Sequence, residues 1–312
     1  MANLLDWLLD ENGPVLRYCT LVELLSYPPD HPEVQAARAA IPSHPPLAEL
    51  LAAQKAPGYW VQRDYYVPKA YSTFWVLSVL AEMGLNQEEQ AVRRGVEFMF
   101  THQGEDGKFR RWRNRAGKGM GWEERVDPCT NARIVRFLIR FGYGSDPRTR
   151  RAIEWLLAEQ RADGMWLCGY ARGAGCLRAT LDFLRVAVLD PETAGLSATR
   201  RAAEGVCDLL MQPGMGRYHV ADEWTALVYP YFGYGVIPAL DALGRLGIAA
   251  EHPRMVAARD YLLSRRLPDG SWPLDEPVSR PPLDFGQPGA PNPWLTLDAL
   301  LALRSIGSEI AI

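Results

Sequence analysis

The densest run of side chains able to do chemistry is Lys108 to Cys129, KFRRWRNRAGKGMGWEERVDPC. Seven of its residues are basic, and Trp112 and Trp122 are interleaved among them. Three readings fit. Arg110, Arg113, Lys118 and Arg125, with Trp122 beside them, could hold a diphosphate or another anion through charge-assisted hydrogen bonds. The segment could instead be a solvated charged loop that docks Trp112 on the surface. It could also stack RNA bases on its Arg and Trp side chains. The run ends in Asp127-Pro128-Cys129, and an Asp followed by Pro is a good N-cap for a helix that starts there. In that plain reading Cys129, and Cys176 further along, are small buried residues.

The elements that must position these groups are visible in a recurring ending. It appears as Gln54 to Trp60 (QKAPGYW), Gln103 to Phe109 (QGEDGKF), Gln160 to Trp166 (QRADGMW), Gln212 to Tyr218 (QPGMGRY) and Arg266 to Trp272 (RLPDGSW). Each copy has a polar side chain, a turn centred on Gly or Asp-Gly, and an aromatic six residues after the start. Successive copies lie 49, 57, 52 and 54 residues apart. Apolar residues at i, i+3 and i+4 precede the endings, as in Ile153, Leu156 and Leu157, so each ending closes a helix. A more apolar helix comes before each of these: Tyr71 to Met83, Cys129 to Phe141, Cys176 to Val188, Tyr234 to Leu246 and Trp294 to Ile306. Four of them stop at a glycine-containing turn, Gly84, Gly142, Gly247 and Gly307. The unit is helix–turn–helix of about fifty residues, with nothing resembling a strand ladder. An earlier apolar helix near Val15 to Leu25, and Leu4 to Leu9 as outer partner of the last one, bring the count to six inner and six outer helices.

These Q-x-x-D-G-x-W endings resemble those of the terpenoid cyclase and protein prenyltransferase β-subunit superfamily. The resemblance spans nearly the whole chain, residues 1–312, and implies one all-α domain, an α/α toroid of inner helices around a central cavity with outer helices encircling them. In such a ring the residues just before each inner helix face one mouth. Counting back from the closing glycines makes Tyr71, Cys129, Tyr234 and Trp294 equivalent, with Cys176 in the corresponding place. Val126-Asp127-Pro128-Cys129 is similar to the V-D-x-C motif of prenyltransferase β subunits, whose Asp and Cys bind zinc beside basic residues that hold a prenyl diphosphate. Carried over, it implies Asp127, Cys129 and Cys176 as zinc ligands, Cys176 standing where the family has a histidine, and a helical partner subunit. Where squalene–hopene-type cyclases carry D-x-D-D-T, this chain reads D-P-C-T-N, so the extra carboxylates that would tune a strong acid are absent. That departure disfavours a standard proton-initiated cyclase.

Composition bounds the rest. The net charge of −3 gives no global electrostatic case for DNA, RNA or an anionic membrane. No apolar run reaches 18 residues, so no transmembrane segment is predicted. The first residues are acidic, unlike an export signal, and five cysteines without a CxxC pair predict reduced thiols in the cytoplasm. The most concrete expectation is an isoprenoid or similar apolar substrate in the central cavity. Tyr71, Tyr234 and Trp294 would line it, the basic loop would grip a diphosphate head, and Asp127 would be catalytic, holding zinc with Cys129 and Cys176 or supplying polar chemistry. The competing expectation is a non-catalytic lipid-binding or interaction scaffold on the same ring.

Overall fold

The computed structural model describes residues 4–10, 13–115, 118–124, 126–167, 175–212, 224–231, 233–275 and 282–308. Helix α1 is Leu4–Asp10, and α2, Gly13–Cys19, runs on into a π-helical turn, Thr20–Leu24. Two short helices follow, α3 (Pro32–Ala40) and α4 (Pro45–Ala52). From there inner and outer helices alternate. The inner α5 (Thr73–Glu82) is paired with the outer α6 (Gln90–Phe100), and the inner α7 (Pro128–Arg140) with the outer α8 (Pro147–Ala158). The inner α9 (Leu177–Leu189) leads through the single turn α10 (Pro191–Ala194) to the outer α11 (Ser197–Leu209). The inner α12 (Val236–Arg245) is paired with the outer α13 (Pro253–Ser264), and α14 (Pro293–Ser305) is the last inner helix.

This is the all-α toroid that the repeat endings imply. Consecutive inner helices α5, α7, α9, α12 and α14 pack side by side, and α14 returns to the Thr20–Leu24 turn. There Arg304 closes the circle, its guanidinium donating to the carbonyls of Glu23 and Leu24. Helix α1 packs on α14 from outside, in the outer position expected for Leu4 to Leu9. The inner helices are more apolar because both faces are covered: every residue of α5 from Thr73 to Ala81 is buried.

The repeat ending is a staple. Gln54, Gln103 and Gln160 each donate two hydrogen bonds from the side-chain amide. One goes to the glycine carbonyl of the same turn (Gly58 3.2 Å, Gly107 2.9 Å, Gly164 2.8 Å). The other goes to the carbonyl of the second residue of the next outer helix, Ala91, Arg148 or Ala198, each at 2.8 Å. The tryptophan then reaches back: the indole N–H of Trp60, Trp166 and Trp272 donates to Leu50, Leu156 and Leu262 in the helix just completed. Its backbone N–H, or that of Phe109, is taken by the start of the inner helix that follows, at Thr73, Asn131 or Thr296. Gln212 opens the fourth copy and donates instead within its own helix, to Asp208, and residues 213–223 lie outside the described part.

One element departs from the helix-only expectation. Trp112–Arg115 and Gly119–Trp122 form an antiparallel two-stranded hairpin, β1 and β2, inside the basic segment. Trp112 pairs directly with Trp122, ring centroids 5.0 Å apart, and a cross-strand aromatic pair stabilises so short a ladder. Fixed helical periods hide such a four-residue alternation.

The staples require glycine where the turn passes under the next outer helix. A Cβ on Gly107, at φ +81°, would sit 2.4 Å from the Arg151 carbonyl of α8. Gly247 has nearly the same φ, +80°, but open space around it. Gly247→Ala is expected to cost about 1–2 kcal/mol, the left-handed penalty alone. Gly107→Ala is expected to cost roughly 1–3 kcal/mol more, because helix backbone must move as well. Chemical denaturation of the two variants measures the difference, and equal losses would show that the staple is not tightly packed.

Candidate functional site

The ring encloses a cavity of about 80 Å³ on its axis. One side of it is aromatic and aliphatic: Tyr229, Tyr231, Trp294, Ile237, Leu297 and Leu301. Trp294, in the first turn of α14, stacks on Tyr229 at a centroid separation of 5.4 Å, and Phe285 meets both rings edge-on. Phe285 lies in the described stretch that leads into α14, where Asn292 donates to its carbonyl. The other side is charged, with Glu23, Glu82, Asp241 and Asp298 facing Arg136, Arg140, Arg185 and Arg245.

Glu82, the last residue of α5, is the hub of these charges. Arg136 of α7 grips it with both terminal nitrogens, one bond at 2.9 Å. Arg140 approaches it at 3.7 Å while spanning to Glu23 at 3.3 Å and donating to the Ala81 carbonyl. Arg185 of α9 reaches it at 3.7 Å. Burial alone would raise the Glu82 carboxyl, but the three guanidiniums outweigh it and hold the group well below the usual carboxylate range. Nearer the other mouth, a second pair ties α7 to α9: Arg133 donates to both oxygens of Asp182 at 3.0 and 3.1 Å, and both residues are buried.

Asp298, deep in the ring on α14, behaves in the opposite way. Desolvation, reinforced by the negative charges of Glu23 and Glu82 and only partly offset by Arg185, raises it to about 8. Asp241 on α12 is also raised by burial, against the pull of Arg245 and Arg185. At neutral pH, therefore, Asp298 carries a proton beside the Tyr229–Trp294 wall.

The residues singled out from sequence fall in several places. Trp294 lines the cavity. Tyr234 is buried against Trp224, with centroids 4.6 Å apart, and Tyr71 is exposed ahead of α5; neither reaches the axial cavity. Trp122 is exposed on the hairpin. Arg110 is held by Asp106, Arg111 by Asp64, Arg113 by Glu123 and Arg115 by Glu124, so these guanidiniums already have carboxylate partners. Lys118 is exposed at the hairpin turn, and Arg125 lies outside the described residues. Asp127 is the N-cap residue of α7 and Cys176 that of α9, while Cys129 sits in the first turn of α7. Among the described residues, no three His, Cys, Asp or Glu side chains gather closely enough to hold a metal ion. Asp127, Cys129 and Cys176 thus do not form a ready zinc site, and no step is derived through zinc. Also among the described residues, no helix is long and apolar enough to cross a membrane.

The cavity residues themselves went unread, although the sequence carries a signal for them. Counting back two from Gly84, Gly142 and Gly247 gives Glu82, Arg140 and Arg245. Counting back six from the last two gives Arg136 and Asp241. Charges recurring at fixed places in apolar helices mark the face towards the axis.

Comparison with known proteins supports the same resemblance. Residues 33–184, just under half of the chain, match the family model of the squalene-hopene cyclase C-terminal domain. No curated protein matches the chain. A solved protein from Actinoplanes is 19% identical over 94% of this chain and 89% of its own, with a TM-score of 0.47. A type II terpene cyclase, MstE from Scytonema, solved as a variant with merosterolic acid A, is 15% identical over 86% and 96%, with a TM-score of 0.33. A polysaccharide lyase is 14% identical over 96% of this chain and 75% of its own, at 0.37. The matched residues 33–184 carry three of the five repeat endings, at Gln54, Gln103 and Gln160.

The opposed shifts of Glu82 and Asp298 dictate a pH dependence. A carboxyl raised from its unfolded range near 4 to about 8 takes up a proton on folding, so its contribution is full below about pH 4 and is lost as pH rises to 8. Glu82 contributes the other way, its stabilisation disappearing only in acid. The melting temperature of the wild type is expected to fall between pH 5 and pH 8. Asp298→Asn should match it at pH 5 and exceed it at pH 8, and parallel curves would mean that Asp298 is ionised throughout.

Proposed function

On this terpenoid cyclase-like ring, we propose that the chain transforms an isoprenoid or similarly apolar small molecule in the axial cavity, with Asp298 as general acid. One observation carries the reading: Asp298, a buried carboxyl raised to about 8 by desolvation, lines a cavity walled by Tyr229, Tyr231 and Trp294. The aromatic faces suit an apolar substrate and stabilise positive charge that develops on it. Asp127, the catalytic candidate from the motif, occupies the N-cap position of α7 and is not among the residues lining that cavity, so this reading gives the acid role to Asp298.

The strength of the acid narrows the reaction. A group titrating near 8 is well matched to proton transfer at physiological pH but far too weak to protonate a bare alkene. The reading therefore favours a substrate oxygen, such as an epoxide or an allylic alcohol, as the proton acceptor. This agrees with the missing D-x-D-D-T carboxylates, since a strong acid is not what the site offers. The Glu82–Arg136–Arg140 cluster favours the scaffold reading to one extent: it fills part of the lumen with ion pairs that serve the ring itself.

A terminal isoprenoid epoxide such as epoxyfarnesol, incubated with the protein and followed by mass spectrometry, tests both. Turnover by the wild type is expected to fall at least a hundredfold in Asp298→Asn, with quenching of tryptophan fluorescence by the substrate unchanged within about twofold. Full activity in Asp298→Asn would remove the acid assignment, and binding with no turnover by either protein would leave the scaffold.

A further inference from the structure

Arg185 sits in the middle of α9 with its guanidinium at the cavity surface, yet its bonding is poor for an enclosed cation. Its side chain is 14% exposed. Its contacts are a Glu82 oxygen at 3.7 Å, which Arg136 already holds while Arg140 approaches the other oxygen, and the face of Tyr231, with the guanidinium carbon 5.6 Å from the ring centroid. Neither is a hydrogen bond, although the guanidinium carries five N–H donors in a planar fork. The guanidinium lines the cavity, so the cavity is the direction in which its remaining donors can be satisfied.

The charge balance of the wall agrees. Arg136 and Arg140 are matched by Glu82 and Glu23, and Arg245 lies 3.8 Å from Asp241. With Asp298 raised to about 8, three carboxylates face four guanidiniums near neutral pH, and Arg185 shares Glu82 with Arg136 and Arg140. Val188, Leu189, Ile237, Leu297 and Leu301 complete the lining with aliphatic surface.

We propose that the axial cavity is a binding site for a small organic carboxylate, its head held by the Arg185 fork and its carbon skeleton against the aliphatic wall. The surplus of one positive charge selects a monoanion, because a phosphate dianion would bring a second negative charge with no partner next to Glu23 and Glu82. The planar fork matches a carboxylate with two parallel N–H···O bonds. The inference does not depend on the reaction assigned to Asp298: it concerns an anion that the cavity would hold whether or not a proton is transferred there.

Calorimetry or the fluorescence of Trp294 can follow titration of the whole chain with sodium hexanoate, 1-hexanol and inorganic phosphate. Hexanoate is expected to bind at least tenfold more tightly than the alcohol, and more tightly than phosphate. In Arg185→Gln that preference over the alcohol should vanish, while alcohol binding stays within about twofold; Arg113→Gln on the distant hairpin should keep it. The Gln variant leaves Glu82 with Arg136 and Arg140 and is expected to fold, which circular dichroism checks. If it does not fold, the wild-type ranking of acid over alcohol decides. Equal affinity for hexanoate and hexanol, no binding of hexanoate, or an unchanged preference in folded Arg185→Gln would overturn the proposal.

Discussion

The ring depends on one hydrogen-bonded junction, the side-chain amide that reads a turn on one side and the next outer helix on the other. Gln54, Gln103 and Gln160 each reach the second carbonyl of α6, α8 and α11, a group that the helix has already bonded once and whose second lone pair remains open. The bond converts a local turn into a link across 37 to 45 residues, and it sets the angle at which the next pair of helices leaves. Because the aromatic of the same turn is anchored backwards to its own helix and forwards to the next inner helix, each junction fixes three helices at once. Three such junctions among the described residues bend the chain into a circle without any single long-range pairing having to be strong.

What the circle encloses is set by a different balance. Six helices that meet around an axis cannot fill it with side chains as a two-layer core does, and here the gap is closed partly with charge. Buried ion pairs are a poor source of stability, but breaking one strands its partner, so the Glu82 cluster acts more as a register device than as glue. It joins α5, α7 and α9 to the first inner turn through Glu23 and leaves α14 to contribute Asp298, a lone carboxyl among other acids. Burial first, and then the negative charges of Glu23 and Glu82, push the Asp298 carboxyl up, because the guanidiniums that settle Glu82 leave only Arg185 to offset them.

The fold was legible because its signature is local and periodic: glycine where φ is positive, an aromatic six residues after a polar anchor, and proline at helix starts. The site was legible only at its rim. Trp294 follows from its distance to the closing turn, whereas Asp127, Cys129 and the basic segment stand out in sequence because they cluster at loops and helix starts. Arg110, Arg111, Arg113 and Arg115 look like an open cationic surface in sequence, whereas in space each meets a carboxylate, two of them from residues as remote as Asp64 or as near as Asp106. The cavity residues are spread over five inner helices, and each helix taken alone reads as apolar with an incidental charge. Their meaning appears only when the repeats are aligned on their closing glycines. The hairpin was missed for the opposite reason, being too short to outvote the surrounding helical pattern.

The inner helices are each followed by an outer return, so all of them point the same way along the axis. Their peptide dipoles add, giving one mouth the positive ends and the other the negative ends. Arg140, Arg245 and Arg304 stand in the last turns at the negative mouth, where cations offset that field. The two openings are therefore electrically unequal doors. A molecule with a charged head and an apolar tail would meet the ring as a compass needle meets a field, turned before it enters.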